Sequence, residues 1–170
     1  MLVNNTELEE ILVNVNRCTK VTKGGRTFSF SAIVVVGNKK GRVGFGLGKA
    51  LEIMDAKLKA IKQARANMLE IALKENRTVF HDVVGKFSSS LVKIRTAPAG
   101  KGVIAGGAIR SVFKALGIQD IVVKSLGSNN AHNVVKATIN GLLKVQSPKM
   151  VFKRRGVTII ENKQYLIDKK

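Results

Sequence analysis

The sequence predicts an α+β protein made of two small units, and three patterns carry that prediction. Residues 27–36 alternate between two faces as a strand does, with a glycine turn on either side. Apolar residues then recur at helical spacing from Leu51 to Ile71. Beyond Glu75-Asn76-Arg77-Thr78, short β-prone runs are interleaved with two further helical patterns. Composition agrees: 45% of the 170 residues are hydrophobic and only 2 are Pro, so the chain can bury a core and is not disordered.

The first unit spans residues 6–75. Residues 11–22 are β-prone, and Lys23-Gly24-Gly25-Arg26 turns the chain, since Gly supplies the positive φ of a tight reversal. On the strand 27–36, Phe28, Phe30, Ala32, Val34 and Val36 share one face. A second turn, Gly37-Asn38-Lys39-Lys40-Gly41-Arg42, leads into a strand over 42–47. There Val43, Phe45 and Leu47 lie on one side, with Gly44 and Gly46 on the other. After Gly48-Lys49 a helix is predicted to run to about Leu73. Leu51, Met54, Leu58, Ile61, Met68 and Ile71 form its core stripe against the sheet, while Lys57, Lys59, Lys62 and Arg65 occupy other faces.

The second unit spans 76–147. Strands are predicted over 79–85 and 89–96, followed by the loop Ala97-Pro98-Ala99-Gly100-Lys101-Gly102. A helix over 107–116 buries Ala108, Val112, Phe113 and Leu116, with Gly117 as its stop. Ile121-Val122-Val123 reads as a strand. A last helix over 130–144 turns Val134, Val135, Thr138, Ile139 and Leu142 inward, capped by Ser128 or Asn129. Residues 148–170 are a basic extension with a weakly structured end. Each unit has a modest core of its own, so docking on a partner would add stability.

Charge points to the partner. The chain carries 30 Lys and Arg against 11 Asp and Glu, a formal net charge of +19. Between Glu10 and Glu52 there is no acid, yet Arg17, Lys20, Lys23, Arg26, Lys39, Lys40, Arg42 and Lys49 all fall there, in and around the two turns. Residues 83–119 and 121–160 are acid-free as well. Such an imbalance favours a polyanion, nucleic acid first. Trp is absent and Tyr165 is the single tyrosine, which argues against a base-stacking platform. The single cysteine, Cys18, excludes an internal disulfide and a thiolate metal site, and it is read as structural. Residues 1–7 lack a signal pattern and no apolar run is long enough to span a membrane, so an intracellular protein is expected.

No motif for catalysis or for a cofactor survives its spacing test. A phosphate-binding loop ending in Gly48-Lys49 would need Gly at position 43, which is Val43, and Ser or Thr at position 50, which is Ala50. The glycines 44–48 are read as opening a helix whose bare N–H groups, beside Lys49, suit a backbone phosphate; close strand–helix packing is the alternative. His81 and His132 lie far apart, and Asp82 and Asp120 have no evident pairing, so all four read as surface groups. His81-Asp82 near Ser88-Ser89-Ser90 lacks a nucleophile elbow. No metal site is expected, since the acid-free windows cannot supply clustered carboxylates. Gly100-Lys101-Gly102 with Gly106-Gly107-Ala108-Ile109-Arg110 forms a second phosphate-friendly element. Lys153-Arg154-Arg155 is a third basic cluster.

The order Asn16-Arg17, Lys23-Gly24-Gly25-Arg26, Phe28-Ser29-Phe30, Val36-Gly37, Gly41-Arg42-Val43-Gly44-Phe45-Gly46, Gly48-Lys49-Ala50, Gly102-Val103-Ile104-Ala105-Gly106-Gly107-Ala108, Arg110, Gly127-Ser128 and Asn133-Val134-Val135-Lys136-Ala137-Thr138 resembles the bacterial-type fifth small-subunit ribosomal protein family. The resemblance runs from about Leu8 to Gly156. It implies a unit similar to a double-stranded-RNA-binding domain, then a small α/β domain with a left-handed crossover. It also implies a cytoplasmic, ribosomal place near the head–body junction of the small subunit. The implied partners are small-subunit ribosomal RNA, mRNA along its path into the subunit, and the ribosomal proteins S-four and S-eight.

Matched residue by residue, Cys18, Thr19 and Lys20 fall at a spectinomycin-linked loop. Gly102 and Arg110 fall at positions tied to translational fidelity at the S-four contact. RNA contacts are expected from Arg17, Lys20, Lys23, Gly24, Gly25, Arg26, Lys39, Lys40, Arg42, Lys49, Lys101, Lys153, Arg154 and Arg155. The chain departs from the family pattern at Ala99 and Lys101, where an acid and a threonine are common, and at Ala131, where proline is. The competing reading is a free-standing duplex-RNA or DNA-binding regulator.

Overall fold

The computed structural model of the chain describes residues 8–159 and 165–167. Residues 1–7, read for a targeting signal, and most of the tail after Gly156 lie outside the described residues. β1 (Glu9–Thr22), β2 (Gly25–Gly37) and β3 (Arg42–Ala50) form an antiparallel meander. α1 (Ile53–Ala66) follows, and β4 (Leu69–Glu70) returns to pair with Arg42 and Val43. The second sheet is built from β5 (Val83–Phe87), β6 (Ser90–Thr96), β7 (Val103–Ile104) and β8 (Ile121–Gly127), in the order β5-β6-β8-β7. Only β7 and β8 are parallel. α2 (Gly107–Leu116) supplies the crossover that such a pair requires. α3 (Ala131–Leu143), α4 (Pro148–Arg154) and the antiparallel pair β9 (Val157–Ile159) and β10 (Tyr165–Ile167) complete the fold.

α1 departs from the predicted helix in length and in the face it buries. It ends at Ala66, and Leu69-Glu70 becomes strand instead of a further helical turn. Half of the predicted core stripe faces outward: Leu51, Met54 and Leu58 are exposed, whereas Ile61 and Ile71 are buried as expected and Ala56, Ala60 and Ala64 take the other inward places. The cause lies opposite, on β3. A Cβ added at Gly44, Gly46 or Gly48 would lie 2.1, 2.0 or 2.0 Å from the carbonyl oxygens of Ala64, Ala60 and Ala56 respectively. Two strand residues advance about 6.7 Å and four helix residues about 6.0 Å, so the two small-residue rows stay in step over three contacts. At that separation a leucine face has no room, and the alanine face packs instead.

From Ser31 to Gly37, β2 at the centre of the first sheet is buried on both sides. Val34 and Val36 cluster with Ala60, Ile61 and Ala64 under α1. Val35, Val43 and Ile71 join Phe113, Leu116, Ile121 and Val135 in one large cluster that reaches through the second unit. The two modest cores predicted from sequence are therefore one shared core plus a small satellite. At the seam, the turn after β2 docks on the end of α2. Lys39 N–H donates to the Ala115 carbonyl at 3.0 Å and Gly41 N–H to the Leu116 carbonyl at 3.2 Å. Gly117 ends α2 in the left-handed region (φ 85°), and a Cβ there would lie 2.2 Å from the Lys39 carbonyl oxygen.

α2 matches its predicted range; Val112, Phe113 and Leu116 are buried as expected, Ala108 is only partly buried, and Ile109 and Ala115 join the buried set. α3 is capped by Asn130, one residue past the predicted choice, its Oδ1 accepting from His132 N–H at 3.1 Å. Ser128 instead holds Asn130 N–H, at 3.3 Å. α4 opens the basic extension, for which no helix was predicted; Ser147 Oγ accepts from Met150 N–H at 3.3 Å, and Pro148 sits in its first turn.

Gly46→Ala is expected to lower stability by about 3 kcal/mol, because a backbone carbonyl cannot move aside for the added methyl. Leu58→Ala on the outer face of α1 is expected to change it by less than about 0.5 kcal/mol. Urea midpoints check both, and a parental midpoint for Gly46→Ala contradicts the close approach.

Candidate nucleic-acid interface

β3 pairs with β2 only as far as Phe30, opposite Ala50. Beyond that point β1 and β2 continue as a two-stranded arm, paired from Arg17↔Phe30 to Thr22↔Gly25. Five residues of extended strand carry the tip roughly 17 Å past the sheet. Residues 19–28 are all exposed. Thr22 Oγ1 donates to the Gly25 carbonyl at 3.1 Å, and Gly25 takes φ 124° to close the turn. Pairing places Arg17, Thr19, Val21, Arg26 and Phe28 on one face, Cys18, Lys20 and Thr27 on the other, and Lys23 and Gly24 at the tip. The Arg17 guanidinium lies 4.5 Å from the centre of the Phe28 ring, which steadies its direction. Cys18, Thr19 and Lys20, expected in a loop, are strand residues opposite Ser29, Phe28 and Thr27.

The second turn is built differently. Asn38 Oδ1 accepts from Lys40 N–H and Arg42 N–H, both at 2.9 Å, while the Lys39 and Gly41 amides dock on α2. Lys39 Nζ lies 3.2 Å from Glu9, which also pairs with Lys114 at 3.6 Å, and Arg42 lies 3.7 Å from Glu70. Its backbone thus joins the two units while two of its cations pair within the first, leaving Lys40 exposed with no ion pair among the described residues. Lys49 is exposed on β3 opposite Ser31 and does not stand at a helix start, since α1 begins only after Glu52. The expected phosphate loop at 44–48 is therefore corrected: those glycines belong to β3 and give α1 its close approach.

In the second unit Lys101 and Arg110 are exposed, one in the loop before β7 and one on the first turns of α2. Asp120, expected at the surface, is 2% exposed and organises this loop. It accepts from Gly102 N–H at 2.8 Å and pairs with Arg77, while the Arg77 carbonyl accepts from the Gln119 and Asp120 amides. The Gly102 amide, then the Arg77 guanidinium, hold the Asp120 carboxyl below its ordinary range. A lone acid kept inside so basic a stretch was the sequence signal for this pair. Asp82 Oδ1 likewise accepts from Thr96 N–H at 2.9 Å.

The histidines are also structural. His81 Nε2 accepts from Gln146 N–H at 3.2 Å, and its Nδ1 donates to the Asp82 carbonyl at 3.1 Å. His132 meets the edges of Phe45 and Phe87, and burial, with Lys136 nearby, lowers its pKa. Ser90 Oγ donates to the Ser128 carbonyl at 2.7 Å and is buried. Lys153, Arg154 and Arg155 are exposed at the C-terminal end of α4, where cations also favour the helix dipole. Of the predicted contacts, Arg17, Lys20, Lys23, Gly24, Gly25 and Arg26 thus share the arm, and the rest fall at separate places on the fold.

Cations carried on a projecting arm, with Asp82, Asp120 and both histidines tied into the scaffold, define a basic protein of the class suited to a polyanionic partner. Comparison with known proteins gives the family. Residues 8–72 match the family described as "Ribosomal protein S5, N-terminal domain", and residues 85–155 match "Ribosomal protein S5, C-terminal domain". Similar proteins named "Small ribosomal subunit protein uS5" occur in Wolbachia pipientis wMel, 52% identical over 160 residues and covering 94% of each chain. Those of Ehrlichia ruminantium (strain Gardel), 50% identical over 94% of this chain and 93% of the relative, and Orientia tsutsugamushi (strain Boryong), 52% identical over 89% and 88%, carry the same name. The chain belongs to the ribosomal protein S5 family, as a non-enzymatic structural constituent of the small ribosomal subunit. That membership sets aside the free-standing regulator.

Proposed function

We propose that the arm grips small-subunit ribosomal RNA near the head–body junction, and that the protein thereby supports accurate decoding along the path by which mRNA enters. One observation carries the reading: residues 11–51 hold no acid, and the part of that stretch leaving the sheet is exposed on both faces, with Arg17, Lys20, Lys23 and Arg26 on it. A two-stranded ribbon is marginal alone in water, so an anionic groove that neutralises and orders it would add stability. Contacts of this kind are to phosphate and fix position, not sequence. Cys18, Thr19 and Lys20 lie along the arm, and spectinomycin sensitivity is expected to respond to changes there. Lys40, Lys49, Lys101 and the α4 cluster Lys153, Arg154 and Arg155 would add secondary phosphate contacts.

In this reading residues 6–75 carry the RNA-facing arm, 76–147 the protein-facing surface and 148–170 a basic extension. Gly102 and Arg110 would meet S-four, with S-eight as a second neighbour. Asp120 acts here as a positioning residue, since it fixes the Gly102 amide from inside.

Replacing Lys23 and Arg26 together by Ala is expected to weaken binding to small-subunit ribosomal RNA. The slope of log K against log salt should become shallower by roughly 1.4 to 1.8, the release from two phosphates. An unchanged slope removes the arm tip from the RNA contact. Arg110→Ala is expected to alter stop-codon readthrough in a dual reporter while small-subunit levels stay normal. Parental readthrough at normal subunit levels contradicts a fidelity role for Arg110.

A further inference from the structure

Arg77 stands in the segment that joins the two units, and it grips the second unit twice. Glu75 and Asn76 take φ 54° and 51°. The turn they make is closed by Lys74 and Thr78, where Lys74 N–H donates to the Thr78 carbonyl at 2.8 Å and Thr78 N–H to the Lys74 carbonyl at 3.2 Å. From that turn the Arg77 carbonyl accepts the Gln119 and Asp120 amides at 3.0 and 3.2 Å, and the guanidinium reaches in to pair with the buried Asp120 carboxylate. Beyond the carboxylate lies the Gly102 loop. Asp120 Oδ1 accepts from Gly102 N–H at 2.8 Å, and the Gly102 carbonyl accepts from Ile121 N–H at 3.1 Å. Gly100 and Gly102 take φ 85° and 75°, and a Cβ on either would meet no atom within 4 Å.

We propose that Arg77 is a positioning residue for the Gly102 loop, and that it acts on translational accuracy through Asp120 and Gly102. The role rests on the reading of Gly102 and Arg110 as the fidelity contact, and it adds the residue that holds that contact in place. With two glycines in the left-handed region and open space where their side chains would be, the loop does not choose one conformation by its own backbone. The Asp120 oxygen makes the choice, by holding the Gly102 amide. A buried carboxylate stays ionised and well directed only with a cation and donors around it. Among the described residues Arg77 is the cation paired with Asp120, so without it the Gly102 amide faces a buried charge that has no counter-ion. The Arg77 carbonyl also fixes the backbone from which that carboxylate projects, since it holds the Gln119 and Asp120 amides. A shift of the joining segment is therefore carried to Gly102 by hydrogen bonds and one ion pair.

The test pairs Arg77→Met with Asp120→Asn in the full chain. The Asn side chain keeps an Oδ1 that can accept from Gly102 N–H, and it carries no charge that needs a cation. Arg77→Met alone should speed amide exchange at Gly102 roughly tenfold in the free chain, while Phe113 N–H keeps its parental rate. Added to Asp120→Asn, Arg77→Met should leave Gly102 exchange within about twofold of the Asp120→Asn rate, because the two residues act as one unit. The double variant buries no unpaired charge, so this comparison holds even where Arg77→Met alone lowers stability. A parental Gly102 rate with Arg77→Met overturns the proposal, and so does an equal acceleration with and without Asp120→Asn. In cells with normal small-subunit levels, Arg77→Met should shift stop-codon readthrough in the direction that Arg110→Ala shifts it. Arg77→Lys, which keeps the charge, should restore the parental value. Parental readthrough with Arg77→Met beside a shift with Arg110→Ala overturns the proposal, whereas parental readthrough with both overturns the fidelity reading beneath it.

Discussion

The backbone contact between the turn at Asn38–Gly41 and the last turn of α2 sets where every functional surface points. A helix end leaves carbonyls without intrahelical donors, and here the amides of Lys39 and Gly41 fill two of them, at Ala115 and Leu116. The approach requires glycine at both sides: a Cβ on Gly37 would lie 2.1 Å from the Ala115 carbonyl oxygen, and Gly117 meets Lys39 as closely. Glu9 adds charge to the same seam by bridging Lys39 and Lys114. With the seam closed, Val35 and Val43 pack against Phe113 and Leu116, and the two units share a core. The arm and the Gly102 loop are then held by one body.

That arrangement divides labour among residues that look alike in sequence. Arg17, Lys20, Lys23 and Arg26 ride on a ribbon with solvent on both sides, so their charge is free for an anion. Lys39 and Arg42 sit within reach of Glu9 and Glu70 and spend part of their charge inside the protein. The glycines divide in the same way: those at the arm tip turn the chain, and those on β3 admit a helix. Asp120 shows the converse case, an acid retained in a basic protein because Gly102 N–H and Arg77 need it.

Much of this was legible from local pattern. α2 was readable to the residue because an amphipathic run ends at Gly117, and the arm because two glycines interrupt an acid-free β-prone stretch. α1 was not, because its sequence carries two candidate stripes, one of Leu and Met and one of Ala at positions 56, 60 and 64. Which stripe turns inward depends on the space opposite, and that space is made by Gly44, Gly46 and Gly48 on another element. The role of the second turn was hidden for a related reason: its lysines signalled charge, whereas its amides do the joining. The cap of α3 missed by one residue because Ser128, Asn129 and Asn130 all offer a suitable oxygen.

The most direct test of a rigid body bearing an RNA-gripping arm is amide hydrogen exchange on the free chain and on its complex with small-subunit ribosomal RNA. The amides of Lys39 and Gly41 should exchange as slowly as those of Val34 and Phe113, by global unfolding alone. Amides of residues 19–28 should exchange orders of magnitude faster in the free chain and become protected when RNA binds. Fast exchange at Lys39 and Gly41, or an arm whose exchange RNA leaves unchanged, would contradict the account.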